Sequence, residues 1–200
     1  MARIEPIPFD ELPARSRAMI EEGMASGMYS TPVPLQIVAY SSVALRAMHD
    51  QYAATFRQGL LEPRLVELLR LHSAQAGACE PCSLSRKDAS VSEDDVAGLA
   101  APDDERFTPR EARALRFFDL LAGDHLAIDD DTFRWLGEVF TAAEIVELGF
   151  LCAQDLGGHR FMHTLGVFSD GAPVVAYAPE EVDRSGVTAA AARPGAAGSG

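Results

Sequence analysis

Cysteine is scarce in this chain, with three among 200 residues. That number is too small for a disulfide framework, and a chain of this length buries a core without staples or a structural metal. Basic charge is short as well: 17 Lys and Arg face 30 Asp and Glu, for a net charge of −13. A phosphate-binding protein needs a basic face, so nucleic acid is excluded as the expected partner, and anionic lipid is disfavoured on the same ground. No apolar run approaches the ~20 residues of a membrane helix. The first twelve residues, Met1 to Leu12, lack the apolar core of a secretory signal, so the expected location is the cytoplasm. Alternating strand patterns are missing before residue 170, where only Pro173 to Tyr177 reads as extended. What remains is an ordinary globular composition, 48% hydrophobic and 24% charged. The expectation is one all-α domain of six to eight helices over residues 1–184, followed by an Ala/Gly/Ser/Pro-rich tail, 185–200, expected to be disordered.

Helical signals fill the chain. One segment runs from Phe9 to Met24, and an apolar stretch after Pro32 and Pro34 runs to about Arg57. Pro63 suits the first turn of the next helix. From Leu65 the apolar positions Leu65, Leu68, Leu69, Leu71, Ala74 and Ala76 form a wide stripe that ends near Gly77. Thr108-Pro109-Arg110-Glu111 and Thr141-Ala142-Ala143-Glu144 are capping boxes. Ser92 with Asp95 marks a further short helix, and Asp129 opens an acidic-started one reaching Phe140.

Directly after the central apolar helix comes Cys79-Glu80-Pro81-Cys82. In a reducing compartment a C-x-x-C is more often redox-active or metal-binding than a permanent staple, and a lone pair falls short of the four ligands of a closed zinc site. A helix starting at Cys79 or Glu80 would put Cys82 in its first turn, where free N–H groups favour a thiolate. Arg86 follows Cys82 by four residues, on the same face if that helix continues, and can stabilise an anion but not act as a base. Glu67 lies twelve residues before Cys79 in apolar surroundings. It is a buried proton-transfer group or half of an ion pair with Arg64 or Arg70, three residues away on either side. His72 precedes Cys79 by seven residues and shares its face if the helix runs on. Cys152, in Gly149-Phe150-Leu151-Cys152-Ala153, reads as a small core residue.

The spacing of Glu67 to Cys79 and Cys82 resembles the carboxymuconolactone decarboxylase superfamily, and within it the AhpD-like alkylhydroperoxidases. The capped helix from Thr108, the segment from Phe140 to Leu151 and the run Gly157 to Val167 agree, so the resemblance spans about Leu60 to Val167. It implies an all-helical homo-trimer or homo-hexamer with no cofactor. It further implies that Cys82 attacks a peroxide, Cys79 condenses with the resulting sulfenic acid, a partner dithiol protein reduces the disulfide, and Glu67 belongs to a proton relay. The relay histidine of such proteins falls four residues after the second cysteine, where this chain has Arg86; either another histidine stands in, with His72 the local candidate, or the charge of Arg86 makes a base unnecessary, or the chemistry has changed. The decarboxylase branch lacks the cysteine pair.

Two other classes stay open from the residues. A lyase, decarboxylase or isomerase would use Glu67, Arg86 and a histidine on a small organic acid, with Arg86 gripping its carboxylate. A non-enzymatic helical scaffold would bind a small molecule or respond to redox state. Asp155, His159 and His163 recur at four-residue intervals, a stripe able to bind a metal or move a proton, or else a polar face at a subunit contact. Gly157 and Gly158 are expected to bend that helix.

Overall fold

The computed structural model describes residues 2–102 and 105–167. Among these, nine α-helices and two 3-10 turns, with no strand, make an all-helical fold. In chain order the helices are α1 (Ala14–Ala25), α2 (Val33–Val38), α3 (Ser42–Arg57), α4 (Pro63–Ala76), α5 (Glu80–Leu84), α6 (Glu93–Gly98), α7 (Pro109–Gly123), α8 (Asp130–Gly137) and α9 (Ala142–Thr164). The extended run at Pro173–Tyr177 and the tail from 185 lie outside the described residues. No helix among them is long and apolar enough to cross a membrane.

The count exceeds eight because the stretch expected to run unbroken to Arg57 is cut. Ser41 leaves helical space (φ −115°, ψ 104°) and its side chain accepts a hydrogen bond from the Ala44 N–H, capping α3. Likewise the helix expected from Phe9 begins only after Pro13, which is extended at ψ 136°. The signed starts hold: Ser92, Thr108, Asp129 and Thr141 all form reciprocal capping boxes. Gly157 and Gly158, expected to bend the last helix, do not interrupt it: α9 continues through both. Packing on α4 supports it where two glycines alone would loosen it.

Helix α4 is the centre of the molecule. It packs against α3, α5, α6, α7 and α9, and every residue from Leu65 to Ala74 is buried. Its leucines join α7, α8 and α9 in the main core, while α1, α2 and α3 enclose a second one that Met162 of α9 touches. A helix buried all round is normally apolar all round. This one carries Glu67, Arg70, His72 and Ser73 inside, so each needs a partner.

The exit from α4 places the cysteines. Gly77 closes the helix and Ala78 turns left-handed at φ +50°. The Cys79 N–H reaches the Ala74 carbonyl (2.9 Å) and the Ala78 N–H reaches Gln75 (3.0 Å), a Schellman ending. The left-handed residue is normally glycine, so Ala78→Gly is expected to raise stability by about 1 kcal/mol in urea unfolding. Gly77 faces a different constraint: a Cβ there would stand 2.7 Å from the His159 Cβ on α9. Gly77→Ala is expected to lower the same midpoint by pushing α4 off α9, and equal midpoints for the two variants would refute the assignment.

Candidate active site

Cys79 is the N-cap of α5 and Cys82 its third residue, so the three-residue separation folds the two sulfurs across one turn. They are bridged as a disulfide, with Cα atoms 5.3 Å apart. Cys79 is buried, whereas Cys82 is half-buried and lines a cavity of about 90 Å³ with Tyr52, Arg70, Lys87 and Met162. The burial is asymmetric: an incoming molecule meets the second sulfur before the first.

Helix α5 is one turn long, and it leaves the carbonyls around its end without helical partners. Arg70 satisfies them. Its Nη1 donates to the Cys82 carbonyl and its Nη2 to the Ser85 carbonyl, both at 2.8 Å. The same guanidinium forks onto Glu67, Nε to Oε2 at 2.7 Å and Nη2 to Oε1 at 2.8 Å. Glu67 Oε1 then accepts the Lys87 backbone N–H at 2.8 Å. Both side chains are at most 2% exposed. Of the two arginines that sequence offered to Glu67, the structure selects Arg70; Arg64 binds Asp95 and Glu111 instead. The ion pair therefore clamps three backbone groups of the segment that follows the cysteines.

Arg86 does not occupy the place expected for it. Helix α5 stops at Leu84 and Ser85 is extended (ψ 142°), so the four-residue relation to Cys82 is broken. Arg86 is exposed, forks onto Glu93 (2.8 and 2.9 Å) and donates to the carbonyls of Ser83 and Ser85. The extended residue hands the inward position to Lys87. This lysine lines the Cys82 cavity and a second cavity of about 130 Å³ that contains Glu67. Its Nζ donates to the Gly27 carbonyl (2.9 Å) and to Ser30 Oγ (2.7 Å), and Ser30 Oγ lies 2.6 Å from Ser85 Oγ. Burial, with Arg70 behind it, brings the Lys87 ammonium down to about 8 against the pull of Glu67.

His72 is also elsewhere. The helix does not run on to Cys79, and His72 points to α7, with Nε2 2.6 Å from Asp119 Oδ1 and its ring edge-on to Phe118. On α9 the stripe divides. His163 Nδ1 binds the Ala78 carbonyl (2.9 Å), tying α9 to the left-handed turn, and His159 Nδ1 meets Ser73 Oγ (2.9 Å). No group of three His, Cys, Asp or Glu side chains among the described residues is placed to hold a metal ion. Cys152 is buried as expected, and burial pushes its thiol well up.

Arg70, Lys87 and Tyr52 thus line the cavity beside Cys82; the sequence offered Arg70 only as a partner for Glu67, and no motif marked the other two. A basic residue inside an apolar helical stripe was the available signal for Arg70. For Lys87 the signal was the register break at Ser85, which local spacing does not reveal.

No protein-family model matches the chain, and no curated protein does. Among solved structures it is similar to the alkylhydroperoxidase AhpD core of an uncharacterized peroxidase-related protein from Ralstonia eutropha JMP134. The identity is 18%, the match covers 82% of this chain and 90% of that one, and the TM-score is 0.65. At this identity the likeness speaks for the fold alone: the chain shares the all-helical architecture of that core.

Proposed function

We propose that this chain is an AhpD-like thiol oxidoreductase that reduces a peroxide or a disulfide through Cys82 and Cys79. The observation that carries the reading is the bridged pair at the start of α5, with Cys82 facing a cavity and Cys79 buried behind it. In the reduced protein the Cys82 thiolate attacks the distal oxygen of ROOH. The O–O bond breaks, RO⁻ leaves and takes up a proton, and Cys82 becomes a sulfenic acid. Cys79 attacks that sulfur and expels the hydroxyl as water. One peroxide and two thiols yield one alcohol, one water and one disulfide. An external dithiol protein returns both thiols and leaves oxidised itself.

Lys87 takes the electrostatic part that spacing suggested for Arg86. As an ammonium in the Cys82 cavity it favours thiolate over thiol. The Arg70–Glu67 clamp orients the segment, with Arg70 bound to the Cys82 carbonyl. The non-redox alternative needs Glu67, Arg86 and a histidine on one substrate. Its support is weaker, because Glu67 is committed to Arg70, Arg86 to Glu93 and His72 to Asp119. We further read the chain as a cytoplasmic homo-trimer or homo-hexamer acting on a small molecule, on the strength of the resemblance and the CxxC chemistry.

Stopped-flow mixing of the reduced protein with cumene hydroperoxide, followed by thiol titration, tests this. Both thiols are expected to disappear in the parent, Cys79→Ser to stop at a dimedone-reactive sulfenic acid, and Cys82→Ser to be inert. Thiols that survive in the parent, or a Cys82→Ser variant that reacts as fast, would end the proposal.

A further inference from the structure

A third cavity, of about 580 Å³, opens between α3 and α9 and shares Met48, Tyr52 and Met162 with the Cys82 cavity. Its lining is apolar and aromatic, including Phe150 and Phe161, which are about half exposed. Polar side chains interrupt it at Gln51 and Gln154 and, buried more deeply, at Asp155 and His159, one helical turn apart on α9. The last two are 3% and 2% exposed. Both carboxyl oxygens of Asp155 and the Nε2 of His159 are buried without a hydrogen-bond partner. Three unpartnered atoms on one helix face, in a cavity of a size that takes small molecules, are costly in an empty protein.

The charges around them say which ligand suits. Asp155 is faced by Arg70 and Glu67 from α4, by Tyr52 from α3 and by Cys152 on its own helix. The guanidinium of Arg70 is engaged with Glu67 and two carbonyls, so no side chain neutralises Asp155 directly. In the tautomer whose Nδ1–H donates to Ser73 Oγ, 2.9 Å away, the Nε2 of His159 is an acceptor. An ammonium has three donors for these three acceptors, and aromatic walls attract a cation as well as an apolar body. We propose that this groove binds a primary amine carried on an apolar body, its ammonium received by Asp155 and His159.

Burial pushes the Asp155 carboxyl up to about 7. Binding the cation therefore expels a proton, and affinity rises about tenfold per pH unit below that value and levels off above it. The oxidised protein suffices for the test, since no thiol takes part; the result stands apart from the peroxide reading. Calorimetric titration compares 4-phenylbutylamine with 4-phenylbutanol and 4-phenylbutyrate, which differ only at the head. The amine is expected to bind about tenfold or more tightly than either at about pH 7.5 and to lose about tenfold between about pH 6.5 and 5.5. Asp155→Asn is expected to remove both the preference and the pH dependence. Ala153→Trp, an exposed rim substitution that fills the groove, is expected to abolish binding. Equal affinity for the three heads, an unaffected Asp155→Asn, or an amine that fails to bind while Ala153→Trp dissociates an oligomer would each overturn the proposal, the last by showing a second copy of the chain in the groove.

Discussion

Replacing Arg70 by methionine is expected to cost about 3–5 kcal/mol of folding stability, among the largest single-residue effects in this protein. The reason is what the substitution leaves behind. Glu67 is 1% exposed, and without the guanidinium its carboxylate keeps only the Lys87 N–H. The Cys82 and Ser85 carbonyls lose Arg70 as well. Compared with a well-packed apolar pair, an intact buried ion pair contributes little net stability. The double variant Glu67→Gln/Arg70→Met should accordingly recover a large part of the loss, and the cycle gives the coupling between the two residues. Urea unfolding at neutral pH measures it. A loss below about 1 kcal/mol for Arg70→Met, or strict additivity in the double variant, would contradict the clamp. Arg70→Lys is a further arm: a single ammonium has no fork and cannot hold Glu67 and both carbonyls at once, so it should rescue only partly.

That clamp also marks how far sequence reading reached. Helix starts were legible wherever a capping box stood, because the cap is a local contract between residues three apart. Helix breaks were less legible. Ser41 and Pro13 interrupt apolar patterns that continue across them, and the packing of α1, α2 and α3 decides where the chain turns. The C-x-x-C pair could be read from its spacing and the burial of Glu67 from its apolar surroundings, but not which arginine Glu67 takes. The placements of Arg86 and Lys87 could not be read, since they depend on one extended residue, Ser85, that shifts which of two neighbouring cations faces inward. His72 lies away from the cysteines for a similar reason: the Schellman ending at Ala78 turns the chain before Cys79, so the two do not share a helix face. Local periodicity describes residues within an element, and the site is assembled across three element ends.

Asp155→Asn should act in the opposite direction and raise stability, by an amount that depends on pH. In the fold the carboxyl is held up to about 7, from 3.8. Between those values the folded state binds more protons than the unfolded one, so the contribution of Asp155 to stability falls as pH rises. A shift of this size corresponds to about 4 kcal/mol. The gain from Asp155→Asn should therefore approach that figure at about pH 8 and fade toward zero below about pH 3, where the carboxyl is protonated in the folded and the unfolded state alike. His159 runs the other way. Burial, with Arg70 nearby, brings it down from 6.5 to about 3, so its contribution is lost as pH falls through that window. In the parent the two slopes oppose each other, and the variant exposes the acid-side loss due to His159. Urea unfolding of parent and variant across this range isolates Asp155 as the difference between the two curves. A difference that stays constant with pH would mean that the carboxyl titrates normally. If it widens as expected, the fold is more stable without this carboxylate than with it. Packing then gives no reason for its presence, and a cation brought in by a ligand is the partner that would offset its cost.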